Sequence, residues 1–225
     1  MTQRSLDHIP LSDGRVLPLS VAAPESAVRG GILVGPGAHG VTDDVWELAA
    51  GLAGEGWLAV IPHLCHRDGG ELPEDDEAVR SHLGRLTAAS LRADTDAAFD
   101  WLARRDVPAD RIGAVGFGLG GAVALIVATQ RELGAAVTIG GIGVVEPVAA
   151  GLPALVDIAS ELRCPWLGIY GWDGGVPQEE VHKLRDAAHS AHVATDLVHC
   201  RFHTDQSVAP EAWCRTLNWF ASHLR

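Results

Sequence analysis

The sequence predicts an α/β fold built on a mostly parallel sheet of about eight strands with helices on both faces. Three observations carry that reading. Short apolar runs alternate with longer stretches of helical periodicity, the pattern of strands covered on both sides by crossover helices. An opening segment turns at Asp13-Gly14, a hairpin signal. A glycine-rich stretch, Gly116-Phe117-Gly118-Leu119-Gly120-Gly121, joins a strand-like run to an apolar helix-like run in mid-chain.

The elements follow in order. Residues 9–21 read as a hairpin, and buried strands are expected at 31–34, 57–61, 112–115, 136–139, 166–170 and 195–198. Helices are expected at 43–54, 77–104, 119–131, 178–191 and 208–224, with a short one near 152–161. Pro62 and Pro165 fall at strand boundaries, where a missing N–H does no harm. In such sheets ligands sit beyond the carboxyl ends of the strands, so chemistry belongs in the loops after residues 34, 61, 115, 170 and 198.

Composition narrows the function classes. A chain of 225 residues with 47% hydrophobic content suits a single domain over 1–225 with a full core. Its formal charge of −12 argues against nucleic acid and anionic membrane surfaces. A small-molecule partner is expected, for a monomer or homodimer. Five carboxylates between Glu71 and Glu77 read as a solvated loop. The four cysteines show no paired spacing, the first residues lack a signal peptide's apolar core, and no segment suits a membrane span. Reduced thiols in a cytoplasmic protein are the expectation.

The glycine stretch has two readings. As G-x-G-x-x-G it matches a dinucleotide fingerprint, which needs a carboxylate at the end of the next strand. The run Ala135–Ile139 leads instead into Gly140-Gly141-Ile142-Gly143, so no cofactor is expected. As a strand–turn–helix it matches a nucleophile elbow, whose strained turn lifts a reactive side chain above the sheet. The reactive position is then Gly118.

Further stretches extend the match: Gly56-Trp57 through Pro62, Asp94 through Leu102, Tyr170-Gly171-Trp172-Asp173 through Pro177, and Thr216 through Phe220. With the hairpin and elbow, in this order and spacing, the chain resembles the dienelactone hydrolase family of α/β-hydrolases. That resemblance implies a triad of Cys or Ser, Asp and His. Asp173 matches the acid and His203 the base, in the chain order of these enzymes. Two positions depart from it. Gly118 stands at the nucleophile, and Gly37 falls where the family carries a glutamate partnering the resting thiol. The surroundings of His203 depart too, reading Phe202-His203-Thr204-Asp205, which keeps His199 open as a competing base.

What remains suits chemistry without an acyl-enzyme. A His203–Asp173 pair serves as a general base, and main-chain N–H groups of Leu119 and Ala38 form an oxyanion hole. His39, Arg67, Trp46 and Trp172 are candidate substrate-binding residues, the indoles for stacking and Arg67 for a carboxylate, a residue that equally suits a surface ion pair on so acidic a loop. Asp173 also suits a plain turn before Gly174-Gly175, and His203 a buried loop histidine. His63-Leu64-Cys65-His66 with Asp68 lacks a structural zinc spacing, so no metal is expected. Cys65 is a weaker relocated nucleophile, since the sequence places no base beside it. The expected function is non-covalent hydrolysis, elimination or cyclisation of a small carbonyl compound. The alternative is a pseudoenzyme that binds a small molecule or scaffolds.

Overall fold

The computed structural model describes residues 3–68, 75–172, 175–200 and 210–224. Eight strands form one sheet: β1 (Gln3–Pro10), β2 (Val16–Ala23), β3 (Gly30–Gly35), β4 (Trp57–Pro62), β5 (Ile112–Phe117), β6 (Ala135–Ile139), β7 (Trp166–Gly171) and β8 (Thr195–Cys200). Their spatial order is β1-β2-β4-β3-β5-β6-β7-β8. The first two form the expected hairpin, closed by Gly14 at φ 82°. β2 pairs antiparallel with β4, and every later pairing is parallel. Inner strands β3, β4, β6 and β7 are buried at every residue, which explains their unbroken apolar runs. The edge strand β8 is mostly half-exposed and mixes Thr, Asp and His with its apolar residues.

Helices cover both faces. On one face, α1 (Asp43–Gly54) and α7 (Pro210–His223) pack through Leu48, Leu52 and Phe220 against Ile32, Ile61 and Val115. On the other lie α3 (Ala88–Ala103), α4 (Leu119–Gln130), α5 (Leu155–Ile158) and α6 (Gln178–Ala188). α4 has no solvent face: residues Leu119 to Thr129 are all buried.

One expected helix is two. The segment 77–104 breaks at Leu86, whose backbone is extended, separating α2 (Asp76–Arg85) from α3. Thr87 then caps α3 reciprocally with Ser90, and Ala88 N–H donates to Gly151 O at 2.8 Å. A capping box and a long-range bridge stop the helix here, two residues after Gly84. The short helix near 152–161 is α5 followed by a single 3₁₀ turn, Ala159–Glu161.

Three glycines seat α4 on the sheet. A Cβ on Gly120 would overlap Gly35 O and lie 2.6 Å from the carbonyl carbon of Gly35. A Cβ on Gly116 would lie 2.8 Å from the Cα of Gly120. Bare backbone on all three brings the first turn of α4 into contact with β3 and β5. Below it, Trp166 Nε1 donates to Thr138 Oγ1, which donates to Gly121 O, both at 3.0 Å. Tyr170 donates from its hydroxyl to Gly141 O at 3.2 Å.

Candidate active site

The β5–α4 turn is the centre of the candidate site. Gly118 has φ 50° and ψ −113°, a conformation that side chains rarely adopt and that strains them by about 1–3 kcal/mol. Both its backbone groups are held: its N–H donates to Ile139 O at 3.1 Å, and its carbonyl accepts from Ala122 and Ile142. The turn therefore keeps an elbow's shape through neighbouring strands rather than through its own residue. A Cβ built on Gly118 meets nothing within 4 Å. Among the described residues, nothing occupies the space that a side chain at this position would take first.

Leu119 begins α4, so its N–H belongs to the first turn of a helix and has no intrahelical acceptor. The Gly35–Gly120 contact brings the chain just after β3 alongside that turn. There Gly40 N–H closes on Gly37 O at 3.0 Å, with Ala38 and His39 at the bend. Main-chain donors of Leu119 and Ala38 thus come from two adjacent segments. His39 is exposed and borders an open cleft of about 530 Å³ with Thr42, Asp43 and Asp44. Asp173 and His203, the expected acid and base, lie outside the described residues.

His199 is placed where it cannot serve the elbow. It sits within β8, paired with Tyr170 in the ladder, three strands from β5. At about 4.8 Å per strand that is roughly 14 Å, beyond an imidazole's reach. Its ring stacks under Trp172 at 4.4 Å between centroids and meets His182 of α6 edge-on at 6.3 Å. Trp172 itself is 59% exposed, an indole face presented at the carboxyl end of β7.

Other expected contacts take different partners. Arg67 suited a substrate carboxylate or an ion pair, and its guanidinium is committed within the fold. It donates to Asp94 Oδ1 at 2.6 Å and Oδ2 at 3.3 Å, and to Asp13 Oδ2 at 2.9 Å. Asp94 also takes His66 Nε2 at 3.1 Å, so one carboxylate with 2% exposure holds two basic side chains. Its position was readable: Asp94 falls on the stripe of Leu91, Ala98 and Leu102, and a carboxylate on a buried stripe demands partners. Trp46 lies half-buried on α1 under the Arg4 guanidinium, 4.4 Å from its ring. Among the described residues no three His, Cys, Asp or Glu side chains are grouped to hold a metal ion.

Burial holds the pKa of His63 below the ordinary histidine value, aided by Arg4, His66 and His8; its Nε2 pairs with Ser20 Oγ at 2.8 Å. Burial likewise lowers His199, beside His182 and Arg185. Both rings resist protonation in the folded chain, whereas the unfolded chain takes up protons once pH drops below about 6.5. Their stabilisation is complete above that value and is lost as pH falls toward the depressed folded values. The thermal midpoint is expected to drop between pH 7.5 and 5.5, with a smaller drop in His63→Gln; an equal drop in the variant removes His63 from the account.

With this geometry in place, the chain's relatives can be compared. A model of the dienelactone hydrolase family matches residues 17–224. The chain belongs to the dienelactone hydrolase family. It is 32% identical over 202 residues to a Salmonella typhi protein named "Putative carboxymethylenebutenolidase", covering 82% of this chain and 74% of that one. A Methylorubrum extorquens protein of the same name is 30% identical over 234 residues, covering 96% and 79%. A crystal structure described as a putative dienelactone hydrolase from Klebsiella pneumoniae superposes with a TM-score of 0.86 at 29% identity, covering 98% of this chain and 99% of that one. The sheet is that of an α/β-hydrolase, and Gly118 stands in the turn between its strand β5 and helix α4.

Proposed function

We propose that this chain hydrolyses a small lactone or related carbonyl compound by direct attack of water, with no covalent intermediate at the elbow. One observation carries the reading: the β5–α4 turn holds Gly118 at a positive φ, with nothing among the described residues within 4 Å of a Cβ there. A water molecule or the substrate carbonyl fits there beside the first-turn N–H of Leu119. His203, oriented by Asp173, takes a proton from water as its oxygen attacks the carbonyl carbon. The N–H groups of Leu119 and Ala38 receive the charge that develops on the carbonyl oxygen. Collapse expels the ring oxygen, which recovers the proton from His203. The same base suits removal of a proton next to a carbonyl, so elimination and cyclisation use the same residues.

The relatives' shared name supports a butenolide-type lactone as the first substrate to test. Trp172 and His39, both exposed, flank the elbow along the carboxyl edge of the sheet and would contact it. The thiols of Cys164, Cys200 and Cys214, none of them in a disulfide, support a cytoplasmic setting.

The test is turnover of a carboxymethylene-butenolide by the full chain and by His203→Ala and Asp173→Asn. Loss of a general base lowers kcat by about 10²-fold or more. Rapid mixing should show no burst, and mass spectrometry no acyl adduct. Equal turnover in all three proteins would remove His203 and Asp173 as the acid–base pair, and no turnover in any, with the lactone still bound, would leave a binding protein instead.

A further inference from the structure

A second group of reactive side chains lies two strands from the elbow, just beyond β4. The 3₁₀ turn Leu64–Asp68 carries Cys65, whose Sγ lies 3.4 Å from Nε2 of His82 on α2. Both are almost wholly enclosed, at 4% and 5% exposure. Cys65 also lines a small cavity of about 50 Å³ with His63, His66, Gly40, Val41 and Pro18. Two of those walls are imidazoles with fixed partners, His63 on Ser20 and His66 on Asp94. A thiol, an imidazole in contact with it and a space beside the thiol are therefore assembled in one place.

We propose that Cys65 is a peroxide-reactive thiol, with His82 as its proton acceptor and the small cavity as the binding space for hydrogen peroxide. This is independent of the lactone reaction. The cavity sets the substrate class. One water occupies about 30 Å³ in the liquid, so the space admits a molecule of water or peroxide size and excludes an organic ester or a maleimide. The imidazole sets the reactivity, since a thiol beside a base gives up its proton more readily than one buried in apolar surroundings. Cys164 shows the contrast: burial pushes its pKa up to about 12. Burial raises Cys200 as well.

The step balances without a further reactant. The Cys65 proton passes to His82, and the thiolate attacks one peroxide oxygen. A sulfur–oxygen bond forms as the oxygen–oxygen bond breaks. The departing hydroxide takes the proton back from His82 and leaves as water. Sulfur is oxidised by two electrons to sulfenic acid, and peroxide is reduced. The product hydroxyl sits in a cavity walled by His63 and His66, groups able to hydrogen-bond it.

The test treats the folded full-length chain with hydrogen peroxide or with N-ethylmaleimide, then maps the modified cysteines after trypsin. The peptide from Gly30 to Arg67 holds Cys65 as its single cysteine and has no methionine. It does hold Trp46 and Trp57, so dimedone added after unfolding identifies sulfenic acid, and Cys65→Ser must abolish that signal. Peroxide is expected to modify Cys65 in the folded chain, while maleimide stops at the exposed Cys214. His82→Gln is expected to slow the peroxide reaction by about tenfold. Size selectivity is read in the unaltered protein, so the test survives if that variant fails to fold. Oxidation at Cys214 with Cys65 untouched overturns the proposal. So does maleimide labelling of folded Cys65, or an unchanged rate in a folded His82→Gln.

Discussion

Gly120→Ala is expected to lower the thermal midpoint by about 10 °C, the largest effect of any single methyl addition in the chain's helices. The new Cβ would overlap Gly35 O and approach Pro36 O to 3.0 Å. Those are backbone atoms of β3 and its exit, which cannot rotate away as a side chain can. Relief requires α4 to lift off the sheet, and α4 is enclosed along its length. Overpacking costs about 1–3 kcal/mol, and the cost lies at or above the top of that range where only backbone can give way. In a chain of this size each kcal/mol moves the midpoint by about 2–4 °C. Gly84→Ala is the control. That glycine lies in α2 with nothing within 4 Å of a new Cβ, so its substitution is expected to stabilise by about 0.5–1 kcal/mol. A thermal scan of the two variants should give shifts of opposite sign; a small shift for Gly120→Ala would mean that α4 is not held against Gly35 as described.

Asp94→Ala is the second large effect, about 3–5 kcal/mol of lost stability in urea unfolding. Asp94 accepts from both Arg67 and His66, whose side chains are 16% and 4% exposed. Removing the carboxylate leaves His66 without its acceptor and the largely enclosed Arg67 guanidinium with Asp13 alone, and the loss of charge pairing dominates the cost. Two comparisons separate charge from packing. Asp13 grips the same Arg67 at the exposed end, so Asp13→Ala should scarcely move the midpoint. Arg67→Met combined with Asp94→Leu should be more stable than Asp94→Ala alone, because it removes the half-paired charge. If the double variant is the worse of the two, the pair is held by shape rather than by charge.

The strands and most helices were legible because their information is local. Unbroken apolar runs such as Trp57–Ile61 can only be interior strands of a sheet covered on both faces, and the eight predicted strands are those observed. The break at Leu86 was not legible, since it depends on Gly151, more than sixty residues away. The strand–turn–helix at Gly116–Gly121 was readable from its glycines, and the structure adds that Gly118 takes a positive φ there. By position Arg67 suited either a substrate carboxylate or an ion pair, and the structure shows ion pairs. Its place after β4 was right for a pocket, yet its partner comes from α3, 27 residues on. Cys65 lacked a base in sequence for the same reason, because His82 reaches it from 17 residues away on a separate helix. Contacts between segments set these side chains, and neither hydrophobic period nor turn residues encode them.

The enclosure of α4 governs how the elbow behaves in time. Its amides cannot meet water one turn at a time, as those of a half-exposed helix do. Exchange of backbone protons from Ala122 to Thr129 then proceeds by whole-molecule opening. The turn at Gly118 is anchored directly to that segment. Its shape therefore persists for as long as the folded molecule does, and loops around it can rearrange without disturbing it.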